Sequence, residues 1–113
     1  CSDSSEPDHV RLIENRTIAE NFIDANQLQI EIVEIPVLPF MGSSAGRLVV
    51  PYLNFYIGNG FVLIPVAGQR TDDAMLGIIR QVFTDREVIG LEVGEILAVG
   101  GGGIHCITQQ IPA

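Results

Sequence analysis

The chain has 113 residues, a net charge of −8 and a hydrophobic share of 47%, enough for one modest domain with a dense core and too apolar for a disordered segment. Its basic residues are all arginines, six in number, and they form no patch with which to neutralise phosphates, so nucleic acid is excluded as an expected partner. No apolar run approaches the ~20 residues of a membrane span, the start lacks the charged and apolar regions of a signal peptide, and Cys1 and Cys106 make no disulfide framework, so a cytoplasmic protein without a membrane partner is expected.

In chain order, residues 1–7 read as a polar lead-in, and residues 8–113 as the folded part. Cys1-Ser-Asp-Ser-Ser suits either a lipidated tether or a fragment boundary, and the boundary is favoured. Val10, Ile13, Ala19, Phe22 and Ile23 recur at helical spacing, which predicts a helix over about 8–25 with Asn26 as a stop. Leu28, Ile30 and Ile32 alternate with polar residues, so a strand follows and ends at Pro36 and Pro39. Residues 40–47 carry loop chemistry.

The runs Tyr52–Ile57 and Phe61–Ile64 are joined by Gly58-Asn59-Gly60, residues that tolerate the positive φ of a tight turn, and an antiparallel hairpin is expected. Thr71 is placed to cap a helix with Asp72 and Asp73 in its first turn, and Met75, Ile78, Ile79, Val82 and Phe83 form its apolar stripe. Met75 is therefore read as core. A strand over 86–91 follows, then a brief helix or strand over 93–99. The order strand, strand, helix, strand between 52 and 91 makes an α+β unit whose other face and edges need neighbours. Self-association through those edges, as a homo-oligomer, is expected.

Four consecutive glycines, Gly100 to Gly103, precede Ile104-His105-Cys106. Such a run is destabilising unless the backbone must take positive φ or let something approach closely. A thiolate at Cys106 is able to attack a trigonal carbon if a neighbour lowers its pKa or takes its proton. If the segment is extended, His105 points to the opposite face from Cys106, and it is read as structural. Two histidines and two cysteines without short recurring spacing offer no tetrahedral metal set. The glycines lack the residues of a phosphate loop and the spacing of a dinucleotide turn, so no cofactor is expected.

GGGGIHCITQQIPA closely resembles the C-terminal signature of agmatine deiminases and the related bacterial peptidyl-arginine-deiminase-type proteins, and YLNFYIGNGFVLIPVAG resembles the strand pair that precedes it there. The resemblance covers about residues 10–113. It implies the pentein fold, a propeller of strand-strand-helix-strand modules, of which this chain would hold one complete module plus a preceding helix and strand, as the C-terminal third of an enzyme. It also implies Cys106 as the nucleophile towards a small cationic guanidinium substrate, agmatine, giving N-carbamoylputrescine and ammonia. Gly101, Gly102 and Gly103 would be the substrate loop, with Gly103 standing where most relatives are expected to have Asn. The assisting histidine and carboxylates come, in the family, from earlier modules, and neither His9 nor His105 lies in a matching motif. Peptidyl-arginine or arginine deiminase, and a non-catalytic binding module, are the alternatives.

Overall fold

The computed structural model describes residues 4–5, 8–35, 40–43 and 46–111. It divides into two compact units, Cys1–Val37 and Leu38–Ala113. Cys1 and the prolines at 36 and 39, on which the tether reading and the expected strand end rested, lie outside the described residues.

In the first unit α1 spans His9–Glu20, five residues shorter at its end than the periodicity predicts. The N–H groups of Asn21 and Phe22 bond back to Ile18 and Ala19, and the Asn21 side chain donates to the Thr17 carbonyl at 2.7 Å. A side chain that satisfies a terminal carbonyl in this way closes a helix. Asp24 then organises a turn by accepting from the N–H groups of Asn26 and Leu28, both at 2.8 Å. Those bonds, led by Leu28, hold its carboxyl below the ordinary aspartate range. Gln27 takes φ +64° at the turn's far side.

The expected strand over 28–37 reduces to a single bridge, Ile23 with Gln29. Alternation specifies an extended backbone, but a strand also needs a hydrogen-bonding partner. Among the described residues 30–35 has none. The stripe of α1 buries nothing either, and Val10 and Ile18 are 66% and 68% exposed.

The second unit opens on a hairpin where loop chemistry was expected. Strands β1 (Phe40–Ser43) and β2 (Gly46–Val49) pair antiparallel, with Phe40 opposite Val49 and Ser43 opposite Gly46. Gly46 supplies φ +106° at the turn. After Val50 the chain enters tight turns and reaches β3 (Tyr56–Ile57), which pairs antiparallel with β4 (Phe61–Pro65) across the glycine turn. The expected hairpin is present, although its first strand is only two residues long. Gly60 takes φ +85° there, while the Gly58 N–H donates to the Phe61 carbonyl at 2.9 Å.

Helix α2 spans Asp72–Val82 and returns the chain to β5 (Glu87–Leu91), which lies parallel to β4 in register Val62–Val88 and Ile64–Gly90. The sheet order is β3-β4-β5. The core lies between this sheet and α2, where Val62, Ile64 and Met75 are fully buried and Ile79 and Val88 nearly so. Met75 is core, as its helical spacing indicates. Val82 is 47% exposed, and Phe83 sits beyond the helix, edge-on to Phe55 with ring centroids 5.7 Å apart. The segment 93–99 resolves as a helix, α3 (Gly94–Val99), beside β2. No helix among the described residues is long and apolar enough to cross a membrane.

Candidate active site

The thiol is built from two turns that are far apart in sequence. The first begins at Val50 and Tyr52, both fully buried. Between and after them the Tyr52 N–H donates to the Val50 carbonyl and the Asn54 N–H to the Pro51 carbonyl, each at 2.9 Å. The Tyr52 hydroxyl lies 2.9 Å from Thr71 Oγ1 and donates to Asp72 Oδ1 at the start of α2. Burial, and then the Asp72 carboxylate, push the phenol up to about 12. Asp72 Oδ2 also accepts from the N–H groups of Gln69 at 2.8 Å and Ala67 at 3.3 Å. The start of α2 is thus tied by Asp72, whereas Thr71, the expected cap, makes no side-chain capping bond.

The second turn is the glycine run, and its members have different tasks. Gly100 ends α3, and Gly101 follows with φ +78°. The Gly101 N–H donates to the Ala98 carbonyl at 3.0 Å and the Gly102 N–H to the Leu97 carbonyl at 3.1 Å. This is the paired-bond C-terminal stop in which the left-handed residue is nearly always glycine. Gly102 and Gly103 are needed for space. A Cβ on Gly102 would lie 3.2 Å from Cys106 Cβ and Sγ, and one on Gly103 would lie 2.5 Å from Asn54 Cβ and 2.7 Å from its Cγ. Gly103 does not take positive φ, so left-handed tolerance, the property it shares with asparagine, is not what this position requires.

Cys106 is in a single 3-10 turn, His105–Ile107, and not on an extended segment. Successive side chains there are about 120° apart, so the argument that sets His105 opposite the thiol does not hold. His105 lines a cavity of about 400 Å³ with Leu53, Asn54, Phe55, Ile57 and Gln110. The thiol is free and exposed. The Gly103 N–H, first, and then the Asn54 carboxamide hold it below the ordinary thiol range, against a smaller opposing effect of burial. Asn54 Nδ2 donates to Sγ at 2.9 Å, and the Cys106 N–H donates to Asn54 Oδ1 at 3.2 Å.

Of the residues the sequence reading placed at the site, the structure brings Gly102, Gly103 and Cys106 together. Sequence reasoning missed Asn54. Its one signal is that it is a lone amide between Leu53 and Phe55 in an otherwise apolar run. Among the described residues no group of three histidines, cysteines or carboxylates converges as a metal site. What the arrangement offers chemically is an accessible sulfur beside an amide N–H donor, an environment that favours a thiolate.

The chain belongs to the Porphyromonas-type peptidyl-arginine deiminase family, whose model matches residues 1–112. A Streptomyces coelicolor protein provisionally named an agmatine deiminase is 37% identical over 97% of this chain and 32% of its own length. The agmatine deiminase of Medicago truncatula is 31% identical over 98% of this chain and 35% of its own length. Among solved structures, the agmatine deiminase of Enterococcus faecalis superposes with a TM-score of 0.79 at 25% identity, over 99% of this chain and 35% of that one. The chain spans about a third of the length of these relatives.

Proposed function

We propose that this chain is the nucleophile-bearing part of an agmatine deiminase, with Cys106 attacking the guanidinium carbon. The observation that carries the reading is an exposed sulfur that accepts from the Asn54 amide at 2.9 Å, in a member of a deiminase family. The thiolate forms a C–S bond to the guanidinium carbon while the C=N electrons move to nitrogen. That nitrogen leaves as ammonia once protonated, water adds to the thiouronium carbon, and the C–S bond breaks to return the thiolate and release N-carbamoylputrescine. Gly101, Gly102 and Gly103 form the floor on which the flat guanidinium rests. The proton donor and the carboxylates that pair with the planar N–H fork come from parts of the protein beyond these residues. In the same reading β3, β4, α2 and β5 are one module of a pentein propeller. Similarity to curated agmatine deiminases along nearly the whole chain favours agmatine, while the family description favours peptidyl-arginine as the second substrate.

The test is turnover of agmatine, arginine and a peptidyl-arginine by the intact protein, with mass mapping after treatment by a haloacetamidine. Agmatine is expected to be the best substrate, and the label is expected on Cys106 and not on Cys1. Full activity in Cys106→Ala, or preferential labelling of Cys1, would overturn the reading.

A further inference from the structure

We propose that Asn59-Gly60, the exposed turn between β3 and β4, is a site of covalent self-modification, at which the asparagine deamidates through a cyclic imide and the turn acquires a β-aspartyl linkage. The inference is independent of the proposed function, since the reaction needs neither a guanidinium nor the thiol.

Deamidation of this kind requires an asparagine with a free carboxamide, a free N–H on the next residue, and no side chain on that residue to obstruct the approach. Five asparagines are present, at 15, 21, 26, 54 and 59, and only Asn59 is followed by glycine. The other four are held back by their bonds. Asn15 lies inside α1, where the next N–H is taken up by the helix. Asn21 donates its amide to the Thr17 carbonyl at 2.7 Å, and the next N–H, of Phe22, is bound to Ala19 at 3.1 Å. The N–H after Asn26, of Gln27, is bound to the Asp24 carbonyl at 3.0 Å. The carboxamide of Asn54 is held at both ends by Cys106.

Asn59 differs on each count. Both it and Gly60 are exposed. Among the described residues its carboxamide has no hydrogen-bond partner, and the Gly60 N–H has no acceptor. The reason lies in how the turn is closed. A turn of this size is often closed by the N–H of its last residue reaching the carbonyl of its first. Here the Gly58 carbonyl accepts instead from Arg86 Nη1 at 3.0 Å, and the turn is held by the reverse bond, from the Gly58 N–H to the Phe61 carbonyl at 2.9 Å. The Phe61 ring lies over Gly58, where a Cβ would come within 2.3 Å of it. A Cβ at Gly60 would meet nothing within 4 Å. The ends of the turn are thus anchored, while the two groups that must react are unbonded and the space beside them is open.

In the reaction hydroxide takes the Gly60 amide proton, and the nitrogen forms a bond to Asn59 Cγ. The bond from Cγ to the carboxamide nitrogen breaks, that nitrogen takes a proton from water and leaves as ammonia, and the cyclic imide remains. Water then opens the ring at either carbonyl. One opening gives aspartate, and the other gives a β-linkage that routes the main chain through the side-chain carbon and lengthens the turn. The Gly60 carbonyl accepts from the Glu87 N–H at 2.9 Å, the bond with which β5 begins beside β4. A longer turn displaces that carbonyl, so the β-linked form is expected to melt below the unmodified protein.

The measurement is peptide mapping of the intact protein during incubation at mildly alkaline pH, native beside denatured, with an isoaspartyl methyltransferase to detect the β-linkage. The peptide containing Asn59 is expected to gain about one dalton and to split into two forms, one of which the methyltransferase labels. It is expected to convert before any other asparagine peptide of the native protein. The rate is expected to rise up to about tenfold for each pH unit, as the deprotonated fraction of a weak acid does. Asn59→Ser keeps a small polar residue at a position that does not take positive φ, and it is expected to abolish the label. Earlier conversion of another asparagine in the native protein would overturn the proposal, as would an Asn59 peptide that changes only in the denatured sample. Cys106→Ala is expected to convert at the wild-type rate, and a conversion lost with Cys106 would overturn self-modification at the turn while leaving the nucleophile in place.

Discussion

Replacing Gly103 by alanine adds one methyl group at the point where the two turns of the site meet. The methyl carbon would lie 2.5 Å from Asn54 Cβ, about 0.9 Å inside the 3.4 Å at which ordinary contact begins. Asn54 cannot relieve this by rotating its side chain, because its Cβ is fixed to a backbone held by the Pro51 carbonyl on one side and the His105 N–H on the other. The loop must therefore shift, at an overpacking cost of about 1–3 kcal/mol. The bond from the Cys106 N–H to Oδ1 is lost in addition, about 0.5–1.5 kcal/mol. A lower chain entropy in the unfolded state returns about 0.4–1 kcal/mol, so a net loss of roughly 1–3 kcal/mol is expected. The control is Gly101→Ala, which meets nothing within 4 Å but holds an alanine at φ +78°, a backbone cost of about 1–2 kcal/mol. Both variants are expected to lower thermal stability by comparable amounts. Of the two, only Gly103→Ala is expected to raise the pH midpoint of Cys106 alkylation, and it is expected to lose most of its agmatine turnover. Thermal shift and the alkylation profile of the intact protein measure the two effects. A Gly103→Ala protein with the wild-type profile and activity would refute the reasoning, since the glycine would then be no more than linker.

Tyr52→Phe is expected to change the response to alkali. A phenol held at about 12 when folded, above its ordinary value near 10, contributes stability that is complete below pH ~10 and is lost as pH rises towards 12. The phenylalanine variant should lack that stretch of the alkaline loss in a denaturation series, and a parallel series for both proteins would count against the Tyr52–Asp72 contact. Gly94→Ala should destabilise by about 1–3 kcal/mol, because its Cβ would sit 2.8 Å from the Val66 carbonyl oxygen that already accepts the Gly94 N–H; an unchanged melting curve would contradict this. The 113 residues expressed alone should release no ammonia from agmatine at a measurable rate and should self-associate, through apolar residues such as Ile96, 73% exposed, and Ile107, 73% exposed. Light scattering beside an ammonia assay tests both, and Cys106-dependent turnover by a monomer would mean that the proton donor lies within these residues.

What the sequence made legible is what local periodicity can encode. Gly58-Asn59-Gly60 between two β-rich runs, the stripe through Met75 and Ile79, and the order strand, strand, helix, strand are all written within a few residues of each other, and all are present. The failures are cases where local pattern was silent about partners. Leu28 to Ile32 alternates as a strand does, yet pairing needs a second backbone and only the Ile23–Gln29 bridge forms. The opposite error falls on 40–47, where Gly42, Ser43 and Gly46 read as loop although they lie in the strands of a hairpin. Helix α1 ran short because Asn21 satisfies the Thr17 carbonyl before the apolar spacing ends. At the site, Cys106 was visible through its resemblance to a family motif, while Asn54 was not, because nothing short in the sequence links two residues that meet only after β3, β4, α2 and β5 have folded between them.

On the proposed function the sulfur must be exposed to meet a substrate, and an exposed side chain on a short turn would ordinarily sample several rotamers. Here burial is assigned to its neighbours. Gly103 and Ile104 are buried immediately before the 3-10 turn, and Val50 and Tyr52 immediately before Asn54, so each polar member of the pair projects from an anchored backbone. The bonds between the pair run to main-chain groups as well as to the sulfur, which means that the backbone of one turn is held by the other and the thiol inherits that order. The run of glycines is the condition for it. One left-handed residue stops α3, and two residues without side chains let the turns close to the distance at which an amide can reach a sulfur. A larger residue at Gly103 would leave the helix and the sheet nearly intact while separating the amide from the thiol, because its Cβ would meet Asn54 and not the core.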